Sequence, residues 1–269
     1  SFFGDPSLKL AQPNYNIVTT GLEILDSVGD VVYSSDLKSN IQDTIKSLSH
    51  VRFFGEVRDD TWMGVSNSKV DFSGVADITV FDKYSLFQTL NNDGFMDDPF
   101  EYYLQNNTIY KGKVNVIGGK FEFEFIVPKD ISYQFGTGKL SYYATDSILG
   151  EAKGYNNNIF IGGISDYITN DLEGPSIQLF MNDTNFVSGG HTNQDPQLLA
   201  LLYDKSGINT LGTGIGHDLT ATLDNNISDQ HIVNDYYKAD LNSYQSGKVL
   251  YPFSNLIDGE HTLTFKAWD

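Results

Sequence analysis

Between residues 120 and 146 the chain reads KFEFEFIVPKDISYQFGTGKLSYYATD, and between 248 and 269 it reads KVLYPFSNLIDGEHTLTFKAWD. Each stretch opens with large apolar residues at every second position: Phe121, Phe123 and Phe125 in one, Val249, Tyr251 and Phe253 in the other. Each then crosses a glycine-bearing connection into a second alternating run that closes on Ala-x-Asp. Leu140, Tyr142, Ala144 and Asp146 thereby correspond to Leu263, Phe265, Ala267 and Asp269. Side chains two apart on a strand share a face, so this spacing suits half-buried strands. Two such runs joined by a turn read as a β-hairpin, and its recurrence predicts two similar β-domains in tandem.

The expected fold class is all-β, two tandem immunoglobulin-like antiparallel β-sandwiches. With 269 residues the chain can bury two cores, and its 16 Tyr and 18 Phe suit half-buried sheet surfaces. Residues 1–13 read as the tail of a preceding domain, with a turn at Gly4-Asp5-Pro6 and a break at Pro13. Residues 14–164 form the first sandwich, 165–175 a linker ending in Glu173-Gly174-Pro175, and 176–269 the second sandwich. Strands are expected at 15–19, 31–33, 51–57, 74–81, 108–117, 120–127, 140–145 and 158–162. In the second sandwich they are expected at 177–181, 197–204, 218–223, 230–233, 248–253 and 261–268. Gly118-Gly119 supplies the positive φ angles of a tight hairpin turn. Residues 36–48 carry Leu37, Ile41, Ile45 and Leu48 at roughly helical spacing and read as a helical turn or a plain connection. Residues 82–107 read as a long polar excursion.

After Asp146 the first copy continues through residues 147–163, with one further strand at 159–161. The second copy reaches Asp269 with nothing equivalent. The second sandwich is therefore expected to lack its closing strand, with an open edge or groove and a natural chain that continues.

A formal charge of −18 argues against nucleic-acid binding, which needs clustered Lys and Arg. The absence of cysteine excludes disulfides, thiolate metal sites and a cysteine nucleophile within these residues. No apolar run approaches the ~20 residues of a membrane helix.

Candidate sites each have an ordinary structural explanation. The glycines of Gly212-Thr213-Gly214-Ile215-Gly216 precede a strand rather than a helix and lack a following Lys, which suits a loop better than a nucleotide site. Asn91, Asn92, Asp93, Gly94, Asp97 and Asp98 offer oxygen ligands for calcium without the spacing or terminal Glu of an EF-hand. Asp146, Glu151, Asn156 and Asn157 border a second loop of that kind. The five histidines, His50, His191, His217, His231 and His261, show no metal-ligand spacing. His217 beside Asp218 suggests a general base held by a carboxylate, yet no nucleophile accompanies it. His261 falls where a strand begins and reads as solvent-facing. Any two of 35 carboxylates could be nominated as a glycosidase pair, and proximity in sequence selects none. Trp62 and Trp268 suit a sugar-binding face or, more ordinarily, a core rim. The residues therefore nominate no catalytic, cofactor or metal set.

Two groups of segments carry a resemblance. FFGDPSLKL at the start resembles the segment that ends gingipain-type cysteine peptidase domains. The later stretches DLEGPSIQLFMNDTNFVSGG, LYDKSGINTLGTGIGHDLTATLD and YYKADLNSYQSGKVLYPFSNLIDGEHTLTFKAWD are similar to the C-terminal part of the gingipain-like sortases of the type IX secretion system in Bacteroidetes. The resemblance implies a fragment downstream of a peptidase domain that holds the catalytic His and Cys. It implies a parent that cleaves the C-terminal secretion signal of cargo and helps attach cargo to the cell surface. The expected partners are proteins: the peptidase domain, secretion-system subunits or cargo, at the outer-membrane surface and without a cofactor. The alternative is a stand-alone carbohydrate-binding or adhesive module, stabilised by calcium in its loops.

Overall fold

In the computed structural model, the residues described are 12–37, 43–60, 66–92, 94, 98–131, 133–167, 171, 173–211 and 216–269. Among them the regular structure is strands, with two single 3-10 turns and no α-helix. The first half holds β1 (Tyr15–Leu25), β2 (Val31–Ser35), β3 (Asp43–Ser47), β4 (His50–Asp60), β5 (Ser66–Ser68), β6 (Gly74–Phe81) and β7 (Ser85–Gln88). It continues with β8 (Glu101–Leu104), β9 (Thr108–Val116), β10 (Lys120–Ile126), β11 (Gly136–Thr137), β12 (Lys139–Asp146), β13 (Gly150–Asn156) and β14 (Ile159–Ile164). The second half holds β15 (Ser176–Met181), β16 (Gln197–Tyr203), β17 (Thr220–Leu223), β18 (Gln230–Ile232), β19 (Tyr237–Ala239), β20 (Ser246–Pro252) and β21 (Leu263–Lys266).

The main sheet of the first half runs β10-β4-β1-β13-β12-β6-β9, with β2 and β5 attached at β1 and β4. Its two ends fold onto each other. Phe53 of β4 stacks on Phe123 of β10 at 5.3 Å, and Phe125 stacks on Tyr110 of β9, at the opposite end of the order, at 4.6 Å. Tyr142 of β12 closes edge-on against Phe121 at 5.7 Å. Such ring pairs add to the burial of about 150–250 Å² that each aromatic contributes. The alternation of β10 and β12 is thus read out as predicted, with Phe121, Phe123, Phe125, Leu140, Tyr142 and Ala144 all buried.

The expected hairpins are corrected. β10 pairs with β4, and β12 pairs with β6 and β13, so the two runs of the first copy do not pair with each other. In the second copy β20 pairs with β16 and β19, whereas β21 pairs with β17 in the other sheet. Alternation says which face of a strand is buried and carries no information about its backbone partner. The connection after β10 is also too busy to be a turn: Val127 exchanges backbone bonds with Leu48 and Ser49. Both copies are therefore strand–connection–strand crossings of a sandwich.

The Gly118-Gly119 turn is present, with φ of 59° and 75° and reciprocal Ile117–Lys120 backbone bonds. Its two strands then diverge to β6 and β4 after that single bridge. Residues 36–48 are not helical where described. Residues 43–47 form β3, parallel to β14, and Leu37 and Leu48 have positive φ, which a right-handed helix excludes; residues 38–42 lie outside the described set. Two strands follow Asp146, not one. The polar run that includes Glu151 and Asn156, expected to border a loop, is β13, which lies between β12 and β1. Its sequence hid it because the only fully buried side chain is Ala152. The excursion at 82–107 contains the β7–β8 hairpin, and β19 also escaped notice.

The second half forms two sheets, β15-β16-β20-β19 and β18-β17-β21. They enclose Leu198, Ala200, Leu219, Ala221, Val233, Val249, Phe253 and Phe265. Among the described strands pairing is antiparallel except for β1–β13 and β3–β14, and an isolated parallel bridge joins Lys113 to Leu241.

Candidate functional site

The residues that converge from distant parts of the chain do so where the two sandwiches meet. Asn242 is held at φ 59°, a left-handed conformation that Asn tolerates better than most residues. Its N–H donates to the Lys113 carbonyl at 2.8 Å, and its side-chain oxygen accepts from the Asn115 N–H at 2.8 Å. β19 of the second sandwich is thereby clipped beside β9 of the first. Leu211 enters the first core, and Tyr244 packs against that core. A second clip forms at Asp130, whose carboxylate accepts from the Asn209 amide at 3.0 Å and contacts His217 Nδ1 at 2.6 Å. The His217 ring leans on Trp268 at 4.9 Å, and the Trp268 carbonyl accepts from the Asn209 N–H.

Between the clips lies a cleft of about 380 Å³, with Tyr110, Phe125, Tyr237 and Tyr244 on its walls and Asp171 and Asp269 among its polar lining. A volume of that order is ample for a small ligand or a side chain. Burial raises Tyr244 to about 12 and pushes Tyr110 and Tyr237 up as well, so none of these phenols ionises near neutrality. The Tyr237 hydroxyl is enclosed without a partner among the described residues.

At one end of the cleft the carboxylates of Asp171, Asp204 and Asp269 come within 4.8 Å of one another. Ser206 ties two of them together, donating its N–H to Asp204 at 2.6 Å and its hydroxyl to Asp171 at 2.9 Å. Asp204 is only 4% exposed. Burial, then the neighbouring Asp269 and Asp171 charges, raise its carboxyl to about 6 against the pull of the Ser206 N–H. These are the described residues best able to hold a cation, because oxygen donors suit hard divalent ions. As a hydrolytic pair they fit poorly. Asp204, whose carboxyl is shifted toward neutrality, does not line the cleft.

The sequence candidates are distributed differently. His217 meets Asp130 of the first sandwich, while Asp218 accepts from Asn234, so the expected His217–Asp218 pairing is corrected. His261 is not a free strand residue. It lies ahead of β21, bound to the Ile257 carbonyl at 2.7 Å and to Asp224 at 2.8 Å, and these acceptors raise its pKa. Asp146 spends its carboxylate on the backbone N–H groups of Leu149, Ser73 and Ile148, which lower its pKa. Asn156 caps the Asn158 N–H. Asp146 and Asn156 thus spend these side-chain oxygens on backbone N–H groups. In the 91–98 cluster, Asp93 and Asp97 lie outside the described residues, as do Gly212–Ile215 and Trp62. Trp268 sits on the rim of the joint.

One constellation escaped the sequence reading. Tyr251 contacts His231 Nδ1 at 3.0 Å, and His231 Nε2 contacts Asp229 at 3.0 Å. It resembles a hydroxyl–imidazole–carboxylate relay in order, yet burial, then Tyr236 and Asp229, raise the Tyr251 hydroxyl. The three side chains form a hydrogen-bonded chain that links β18 to β20. Tyr251 and His231 are 20 residues apart, with no motif to link them.

No family model and no curated protein matches the chain. Among solved structures, the dimeric latent PorU from Porphyromonas gingivalis matches 99% of this chain at 31% identity and a TM-score of 0.56. The chain spans about a quarter (24%) of the length of that protein. The similarity thus extends over nearly the whole of this all-β chain and over one part of PorU.

Proposed function

We propose that this chain is the non-catalytic β-sandwich region of a gingipain-like sortase of type IX secretion, serving as scaffold and docking surface at the bacterial exterior. The supporting observation is the end-to-end likeness to PorU combined with the absence of any cysteine. A likeness over 99% of this chain supports placing it within a PorU-like parent. A chain without Cys cannot supply a thiolate nucleophile. In this reading residues 1–13 lead from a peptidase domain, 165–175 connect two domains, and the parent cleaves C-terminal secretion signals. The clips at Asn242 and Asp130 suit a scaffold, because they hold the sandwiches in one orientation for whatever docks on them.

Two measurements on the purified chain test the reading. It is expected to hydrolyse no peptide alone and to associate with a separately expressed gingipain-type peptidase domain, read by titration calorimetry. Intrinsic peptide hydrolysis, or no association at micromolar concentrations, would overturn it. Glycan retention together with a melting temperature that falls on adding EDTA would favour the adhesive-module alternative.

A further inference from the structure

We propose that the gap between β9 and β10 is a docking groove for an extended, basic peptide segment, which adds to β10 as one more antiparallel strand. The backbone bonds of β10 carry this inference. The Gly119 carbonyl accepts from the Val57 N–H, and the Val127 N–H donates to the Ser49 carbonyl. Odd-numbered residues of this stretch therefore turn their backbone groups toward β4, and even-numbered ones turn away from it. Lys120, on the outward side, meets Ile117. Beyond that bridge β9 leaves the ladder, and among the described residues no strand pairs with the outward N–H and C=O groups of Glu122 and Glu124.

The facing edge of β9 already has a partner. Its Lys113 carbonyl and Asn115 N–H are taken by Asn242, and Leu241 bridges Lys113 in parallel. Between residues 120–124 on one side and Asn115, Ile117 and residues 242–244 on the other lies a groove of about 560 Å³. Free strand edges recruit extended chains through their backbone groups. The side chains state the chemistry of the occupant. Its inward residues would lie over Tyr110 and Phe123, rings already stacked at 5.7 Å, so short apolar residues suit those positions. Its outward residues would stand beside Glu122 and Glu124. Glu124 is held by Arg52 at 3.1 Å, whereas Glu122 is exposed and forms no ion pair among the described residues. A Lys or Arg opposite Glu122 is therefore complementary, and the formal charge of −18 favours encounter with basic segments. β9 shows the pattern that fits: in TIYKGKVNV, Lys111 and Lys113 alternate with Gly112 and Val114. None of this depends on the sortase reading.

The test titrates the purified chain with a synthetic peptide of sequence YKGKVNV, capped at both ends, and follows amide hydrogen exchange at single residues. The amides of Glu122 and Glu124 are expected to slow by at least about tenfold with peptide, those of Phe123 and Phe125 being slow in both states. A peptide with both lysines replaced by glutamate is expected to bind at least about tenfold more weakly. Glu122→Lys is expected to weaken the lysine peptide about tenfold and to leave the melting temperature unchanged, because the side chain is exposed. Glu122→Pro removes an outward donor while sparing the β4 ladder, and is expected to abolish peptide-dependent protection at Glu124. No binding up to about 1 mM, or protection confined to other amides, overturns the proposal. So does protection of Glu122 and Glu124 that rises with protein concentration without peptide, which would make a second copy the occupant. A chain that binds the peptide and no peptidase domain would leave this groove standing and remove only the functional reading.

Discussion

Asp204 and Asp146 are both enclosed aspartates, and their surroundings move them in opposite directions. Asp146 is met by three backbone N–H groups, which favour its charged form. Its contribution is present above the unfolded carboxylate range and is lost as pH falls through its lowered value. Asp146→Ala is therefore expected to lower the melting temperature at pH 7 and to flatten the loss of stability below about pH 4. Asp204 is raised to about 6, so the folded state binds more protons than the unfolded one between about pH 4 and 6. Stability falls as pH rises through that window and stays lower above it. Asp204→Asn keeps an acceptor for the Ser206 N–H and removes the charge. It is expected to stabilise the protein at pH 7 by on the order of 1–2 kcal/mol and by less at pH 5, read by chemical denaturation. Neither behaviour was legible in the sequence, where both are an Asp near a turn. What separates them is the count of N–H groups and charges that distant segments bring up.

At the scale of elements, glycine position and aromatic packing make graded claims. At Gly119 a Cβ would stand 2.4 Å from the Lys69 carbonyl oxygen, whereas at Gly118 the nearest atom is 3.6 Å away. Both have positive φ, so alanine strains either one. Gly119→Ala is expected to cost about 1–3 kcal/mol and Gly118→Ala at the lower end of that range, compared by urea midpoints. Phe123 stacks between Phe53 and Tyr110, so Phe123→Ala is expected to cost about 3–5 kcal/mol. The strands at 51–57, 74–81 and 120–127 could be read directly because each buries one face with large side chains. β13 could not, since a strand enclosed by its neighbours uses Ala and Gly where close approach leaves no room. Residues 36–48 misled for a different reason: the helical spacing of their apolar residues spans a short strand at Asp43–Ser47, with positive φ at Leu37 and Leu48 on either side of it.

For the whole molecule the question is how rigidly the two sandwiches are joined. The Asp130–His217 contact links residues 87 apart, and His217 is partly open to solvent, so its energy is modest. A double-mutant cycle with Asp130→Ala and His217→Ala is expected to give a coupling of a few tenths to about 1 kcal/mol, weakened by salt. Asn242→Ala removes the acceptor for the Asn115 N–H and is expected to cost about 1 kcal/mol.

Neighbouring residues alone are enough to make this chain β-built, to line its core faces with Phe, Tyr and Leu, and to repeat one strand pattern twice. Those properties are local, because period two and burial are written in neighbouring residues. The tertiary structure alone decided which strands pair, that β10 and β12 lie apart, and that His217 answers to Asp130 and not to the adjacent Asp218. Backbone groups are the same in every residue and bond to whatever strand is brought beside them. Pairing is therefore set by how the two faces close over the aromatic core, which no single stretch of sequence contains.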